Sequence, residues 1–301
     1  NALLIAEQNG IKPLVDLLHI GGGHTQDAAA GALHGLAALE ENRTGIAKAG
    51  GIQPLVDIFN GGSQAAVEEA SGALTTLVSN NPENRREVAS RLVEMLQRED
   101  LHDPREVQEC VISLIHNLCL DSDMREPIAK AGGIPELVRQ LEGGESSTQS
   151  HAAKALSQIA LKSANLRVQV TKELVQLLSN MDELVRQRAG ETLRDMAEEG
   201  GDESQKIVAT SGGVAPLVAL LKDGLLDGRL EAQEYALWSL SLANDPVSRA
   251  KMAREGCIEL LVQSLNTGEL SKKAEEDASN VLAGLARDSD NCSDMTDPNH
   301  D

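Results

Sequence analysis

A short phrase of glycine, isoleucine or valine, proline, leucine and valine recurs along this chain of 301 residues. The interval from Ile11 to Ile52 is 41 residues. From Ile52 to Ile134 it is 82 residues, and from Ile134 to Val214 it is 80, so each of these covers two periods. The last interval, to Ile258, is 44 residues. A period in the low forties is typical of a solenoid or a propeller. The copies occupy residues 10–15, 51–56, 133–138, 213–218 and, in degenerate form, 257–262.

One full period indicates how each repeat folds. Pro54 falls in the first turn of a short helix, where its missing N–H costs nothing, and Ser63 is placed to cap a longer helix. Within residues 64–79 the apolar side chains recur every three or four residues, which is helical periodicity. No segment alternates apolar and polar residues over the length of a strand. We therefore exclude a strand-built propeller and predict an all-α solenoid.

The leucine of the recurring phrase sets the number of repeats at about seven. Each repeat is expected to hold a short, a medium and a longer helix. Repeats three and five lack the glycine and proline break, at residues 88–93 and 170–175, so their first two helices are expected to be continuous. The seven leucines are Leu14, Leu55, Leu92, Leu137, Leu174, Leu217 and Leu261.

The net charge of −20, from 27 basic and 47 acidic residues, restricts the partners. An acidic surface repels phosphate backbones and anionic lipids, so we expect no direct binding to nucleic acid. Basic peptides or proteins remain as partners, and solubility alone is the alternative explanation of the charge. No apolar stretch reaches the roughly 18 residues of a membrane span.

No catalytic or metal-binding pattern occurs in the sequence. Phosphate loops, nucleophile elbows, zinc-binding histidine pairs and dinucleotide fingerprints are all missing. The four cysteines form no C-x-x-C pair, and Cys110 and Cys119 are expected to be buried free thiols. Residues 288–301 form an acidic tail that lacks the central glycine of a calcium loop, and we expect it to be disordered. We predict a protein that is not an enzyme and has no cofactor, metal or small-molecule substrate.

Two stretches carry a resemblance to a known family. Residues 128–134 read Ile-Ala-Lys-Ala-Gly-Gly-Ile, and residues 235–241 read Tyr-Ala-Leu-Trp-Ser-Leu-Ser. With the three-helix repeat around them, they resemble the armadillo family, to which importin-alpha, beta-catenin and the vacuolar armadillo proteins belong. The resemblance implies a right-handed α-solenoid over residues 1–287, whose third helices line a concave groove. It also implies that this groove holds an extended peptide or a partner protein.

In that family the third helix often carries an asparagine that forms hydrogen bonds with the backbone of a bound peptide. Four residues earlier it often carries a tryptophan that lines pockets for the side chains of the peptide. Here only Asn117 and Trp238 match. A long extended peptide is held by tryptophan and asparagine pairs in several consecutive repeats. Because this chain lacks such a series, the sequence argues against a nuclear transport receptor for basic cargo. The tryptophan position is otherwise held by His34, Thr75, Ser113, Lys154, Glu191 and Asn280, and the asparagine position by Ala38, Ser79, Gln158, Asp195, Leu242 and Gly284.

A patch around these positions is the predicted partner-binding site. Glu191 and Asp195 are one helical turn apart and share a face. With Trp238 nearby, a basic side chain of a partner would lie over the indole and reach both carboxylates. The alternatives are carboxylates paired with Arg188 or Arg194, a tryptophan packed against its neighbours, and a purely structural asparagine. The predicted site residues are His116, Asn117, Lys154, Gln158, Glu191, Asp195, Tyr235 and Trp238.

The function expected from this sequence is that of a scaffold or adaptor that binds partner proteins or extended peptides. A second hypothesis is that the chain is the armadillo portion of a larger protein, such as a ubiquitin ligase or a lipid-anchored vacuolar adaptor, since it begins at Asn1 rather than at methionine. The expected compartment is the cytoplasm. The nucleus, or an organelle surface reached through a region outside this chain, stays open.

Overall fold

A computed structural model describes residues 1–178, 180, 182–208, 213–243 and 245–287. Within these residues the chain is helical and contains no strand, which confirms the predicted all-α solenoid. The helices group into seven repeats with the predicted phase. The acidic tail 288–301 and Cys292 lie outside the described residues.

The chain divides into two compact units, and the boundary falls after Lys162. The sequence predicted one solenoid over residues 1–287, without this division. The first unit holds repeats one to four, and the second holds repeats five to seven. Each is described by itself.

The first compact unit contains eleven helices, which form four repeats. In repeats one, two and four, three helices follow one another, and in repeat three there are two. The helices are α1 (Ala2–Glu7), α2 (Ile11–Ile20), α3 (Gly23–Ala37), α4 (Glu40–Lys48), α5 (Ile52–Asp57), α6 (Gln64–Leu77), α7 (Pro82–Leu96), α8 (Pro104–Cys119), α9 (Ser122–Lys130), α10 (Gly133–Gly143) and α11 (Ser146–Ala160).

The second compact unit contains three repeats in its described residues. Its long helix α13 carries the third helix of repeat five and continues into repeat six, a junction that the sequence reading did not predict. The helices are α12 (Ala164–Leu177), α13 (Glu183–Val208), α14 (Val214–Leu226), α15 (Leu230–Leu242), α16 (Pro246–Arg254), α17 (Cys257–Thr267) and α18 (Lys272–Ala286).

In repeat two, Pro54 and Ser63 lie at the starts of their helices, as the sequence predicted. Pro54 lies in the first turn of α5. Gly61 has a φ of 104°, a left-handed conformation that glycine adopts without steric cost. The Ser63 hydroxyl then accepts a hydrogen bond from the backbone N–H of Ala66 and caps α6.

The repeats without a glycine break also fold as predicted. Residues 88–93 lie inside α7 and residues 170–175 lie inside α12, so the first two helices of each of these repeats are continuous. A helix continues there because no residue ends it, and apolar side chains such as Val88 and Leu92 supply a buried face throughout.

The recurring leucine is a core residue of the solenoid. Six of the seven phasing leucines are 1% exposed or less, and Leu14 is partly exposed. Full burial of one such side chain stabilises the fold by roughly 1.5–3 kcal/mol relative to its exposure. Because the position recurs in every period, each repeat after the first supplies this leucine to the core. The six are Leu55, Leu92, Leu137, Leu174, Leu217 and Leu261.

In the first compact unit, arginines spaced about one period apart donate hydrogen bonds to backbone carbonyls at the C-terminal ends of third helices. Nε of Arg43 donates to the Ala37 carbonyl at the end of α3 at 3.0 Å, and Nε of Arg125 donates to the Cys119 carbonyl at the end of α8 at 2.8 Å. Nη1 of Arg43 also reaches Ser79 O, beyond α6, at 2.8 Å. These bonds satisfy carbonyls that a helix end leaves free and join consecutive repeats.

The cysteine prediction holds in part. Cys119 and Cys257 are buried, and burial raises the pKa of each thiol to about 12. Cys110 is only half-buried, so the expected burial of this residue was wrong. It lies three residues before the tryptophan position of its helix.

Within the described residues, no helix combines the length and apolar character needed to cross a membrane.

Candidate functional site

Third helices of several neighbouring repeats pack side by side within each compact unit. In the first unit α3 packs on α6 and α8 packs on α11. In the second unit α15 packs between α13 and α18. Each unit carries four of the eight predicted site residues.

A pair of histidines connects α8 and α11 in the first unit. The ring centroids of His116 and His151 are 5.5 Å apart, with the rings tilted by 32°. Burial lowers the pKa of His116, and the charges of His151 and Lys154 lower it further. The pair therefore favours neutral imidazole at position 116. No group of three or more possible metal ligands occurs among the residues that the structure describes.

The remaining predicted residues of the first unit differ in their surroundings. Asn117 and Lys154 are exposed. The Gln158 side-chain oxygen accepts a hydrogen bond from Nη2 of Arg125 at 2.6 Å. Gln158 thus has a structural partner within its repeat, whereas Asn117 and Lys154 present their polar ends to solvent.

The second unit holds a pocket of about 190 Å³ between the third helices of repeats five, six and seven. Both predicted aromatic residues and one predicted carboxylate line it. All three helices contribute, so the pocket depends on the stacking of the repeats. Its principal lining residues are Glu191 and Arg194 of α13, Glu234, Tyr235 and Trp238 of α15, and Asp277 of α18.

The chain's own Arg194 lies over the indole of Trp238. The guanidinium carbon is 5.8 Å from the ring centroid, within the range of a cation–π interaction. The sequence reading had assigned this position to a basic side chain of a partner. It had also named Arg194 as an alternative partner of the carboxylates, and Arg194 has further interactions besides this one.

The carboxylates around the pocket are partly neutralised. Glu191 accepts hydrogen bonds from Arg188 and Gln187, each at 3.1 Å, as the structural alternative for Glu191 anticipated. Asp195 is exposed on the same helix. Burial raises the pKa of Asp277, against the hydrogen bond that the Ser241 hydroxyl donates to it at 3.2 Å.

Sequence reasoning missed three charged residues of this pocket: Glu234, Lys273 and Asp277. One signal was available for Asp277. It occupies the same position in repeat seven as Tyr235 in repeat six, three residues before the tryptophan position. A comparison of this position across all repeats, beside the tryptophan and asparagine positions, would have identified Asp277.

A family comparison adds to this geometry. Residues 121–161, which contain α9, α10 and α11, match the model of the Armadillo/beta-catenin-like repeat. The matched segment is repeat four in full, with the same helix order as the other three-helix repeats. This match and the helical repeats around it support an armadillo-repeat family.

A curated relative of this chain is the outer dynein arm-docking complex subunit 2 of Bos taurus. The two are 28% identical over 156 residues, which is 50% of this chain and 14% of the relative. This chain thus aligns with only a small part of that relative's length.

Solved structures of designed armadillo repeat proteins have the same fold. One of them, in complex with the peptide (KR)4, is 20% identical and has a TM-score of 0.53; the match covers 78% of this chain and 99% of that one. A second has the same identity and coverage and a TM-score of 0.52. At this level of identity the likeness shows the fold alone.

Proposed function

We propose that this armadillo-repeat protein is a non-catalytic scaffold that binds a partner protein through the third-helix pocket of its second compact unit. The observation that carries the proposal is the pocket itself, where Tyr235 and Trp238 meet Glu234 and Asp277. Tryptophan and tyrosine are enriched among the residues that dominate binding energy at protein interfaces. The chain has three phenylalanine, tyrosine and tryptophan residues in all, and two of them line this pocket.

The charges of the pocket favour a basic segment of the partner. Glu191, Glu234 and Asp277 are opposed by Arg194 and Lys273, and the whole chain carries a net charge of −20. A partner cation would reach Glu234 and Asp277 and compete with Arg194 for the face of Trp238. Long-range attraction by the acidic chain would increase its association rate.

The test is quantitative affinity capture with the wild-type chain, Trp238→Ala and Thr75→Ala. Thr75 occupies the tryptophan position of repeat two and is exposed, so it is the matched control. Partners of the pocket should be depleted from the Trp238→Ala capture and retained by Thr75→Ala. The proposal fails if every captured protein is retained equally by all three chains.

A second candidate function is that of the armadillo portion of a larger assembly subunit. The similarity to a docking-complex subunit supports it. Native mass spectrometry of the captured material distinguishes the two. An assembly subunit gives one complex of fixed composition, whereas an adaptor gives several exchangeable partners.

A further inference from the structure

A larger cavity lies in the first compact unit, away from the third helices. It has a volume of about 560 Å³ and opens between α7 and α9, the first helices of repeats three and four. Pro82 and Arg86 come from one face of α7, and Pro127 and Lys130 from one face of α9. Lys162, after α11, also contributes. We call this cavity the α7–α9 groove.

The groove is basic although the chain is strongly acidic. Four of its lining side chains are cations and two are carboxylates, a surplus of two positive charges, while the whole chain has a net charge of −20. A local field of opposite sign to the rest of a protein selects the partner that can approach it. The cations are Arg85, Arg86, Lys130 and Lys162, and the carboxylates are Asp123 and Glu126.

Both carboxylates are already paired with cations of the groove. Asp123 lies 2.9 Å from Nη1 of Arg85 and 3.4 Å from Nζ of Lys162. Glu126 lies 2.7 Å from Nζ of Lys130. Arg86 is exposed and has no ion pair with a carboxylate in the part of the chain that the structure describes. Nη2 of Arg85 also lies 3.6 Å from the carboxylate of Asp121, which borders the groove. This third carboxylate offsets one of the two surplus charges, and the other lies on Arg86.

One of the cations is held rigidly. The Arg85 side chain is 13% exposed, and its Nε donates to the Val78 carbonyl at 3.0 Å. A charge fixed in this way loses little conformational freedom when a ligand binds. The rings of Pro82 and Pro127 add apolar surface between the charged groups. The groove thus combines a fixed cation, an unpaired cation and an apolar surface.

We propose that the α7–α9 groove binds an acidic peptide segment of a partner protein. Carboxylates of the peptide pair with Arg86 and Lys130, and an apolar side chain packs on Pro82 and Pro127. This surface goes beyond the proposed function, because it takes a ligand of the opposite charge on different helices. Acidic peptides are repelled by most of the acidic chain, so the groove is the place where they dock.

The test uses a fluorescein-labelled peptide of sequence Glu-Leu-Glu-Glu-Leu-Glu, with fluorescence anisotropy as the measurement. The wild-type chain should bind it, and more weakly as ionic strength rises, since exposed charges are screened. Arg86→Glu should weaken binding by about tenfold or more. The matched control is Arg254→Glu, which makes the same change at an exposed arginine of the second unit and should alter the affinity by less than about twofold.

Three results would overturn the proposal. The first is an acidic peptide that does not bind the wild-type chain. The second is equal weakening by Arg86→Glu and Arg254→Glu, which would indicate only the net charge. The third is a preference for lipid over peptide. If the wild-type chain sediments with phosphatidylserine vesicles, Arg86→Glu does not, and the peptide does not bind, the groove binds a lipid surface instead. Trp238→Ala should leave peptide binding unchanged, so this proposal and the proposed function fail independently.

Discussion

Trp238 is half-buried, with the guanidinium of Arg194 over its indole and Asp277 in the same pocket. Its neighbours Leu237 and Leu240 are completely buried in the core. The side chain therefore stands at the border between the core and the open surface. Its contribution to binding and its contribution to stability are separable by substitution.

Trp238→Ala should weaken partner binding by about 2 kcal/mol if this side chain dominates the interface. The fold should survive, because the buried leucines beside it remain. Leu240→Ala is the control for stability and should lower the free energy of unfolding by roughly 2–5 kcal/mol. Calorimetry with a captured partner and urea unfolding measure the two effects. Melting of Trp238→Ala with intact partner binding would show that the residue belongs to the core.

His116 gives the first compact unit a dependence on pH. Its pKa is lowered by burial, so the unfolded chain binds more protons than the folded one as the pH falls through the ordinary imidazole range. Stability is consequently lost below that range and is complete above it. His116→Gln should make the loss smaller in urea titrations between neutral and mildly acidic pH. An unchanged loss in this variant would contradict the assignment to His116.

At the scale of the helices, the arginine bonds connect consecutive repeats within the first compact unit. Arg43 donates to three backbone carbonyls, those of Ala37, Ala38 and Ser79. They lie at the ends of α3 and α6. Removal of the guanidinium leaves these carbonyls without their donor, and a half-buried acceptor without a partner is costly.

Arg43→Met keeps most of the apolar stem and removes the donors. It should lower the free energy of unfolding by roughly 1–3 kcal/mol. Arg105→Met is the matched control, because Arg105 is 82% exposed and its ion pair with Glu145 is 3.3 Å long. An exposed pair of this kind is worth at most about 1 kcal/mol. Equal losses in the two variants, measured by urea unfolding, would show that the carbonyl bonds contribute nothing beyond a surface ion pair.

At the scale of the whole molecule, repeats become stable by covering one another. Each contributes a buried leucine and a third helix that packs on its neighbours. A single repeat therefore leaves its apolar face in water. The compact unit of four repeats buries these faces internally.

A fragment of residues 50–91, about one repeat, should be unfolded, whereas a fragment of residues 1–162 should be helical and unfold cooperatively. Far-UV circular dichroism during thermal unfolding measures both. A folded 50–91 fragment would contradict the dependence of each repeat on its neighbours.

The repeat period made the fold predictable. Leu55, Leu92 and their counterparts recur at intervals that fit a solenoid or a propeller, and the helical periodicity within the repeat excluded the propeller. The missing breaks at 88–93 and 170–175 predicted α7 and α12. The pocket was only partly predictable. Periodicity gives the face on which Trp238 lies, but not that Arg194 of the preceding third helix covers it. Such a pairing depends on the rotamers of two long side chains and on the separation of their helices.

The arginine bonds have a consequence for how such a chain can lengthen. Arg43, Arg85 and Arg125 recur at intervals of 42 and 40 residues, and each donates to a carbonyl near the end of the preceding third helix. A duplicated gene segment of one period would bring its own arginine and its own acceptor. An insertion of half a period between residues 43 and 79 would separate Arg43 from its acceptor in the same repeat, the Ser79 carbonyl. Growth by whole periods is thus favoured by hydrogen bonding as well as by core packing.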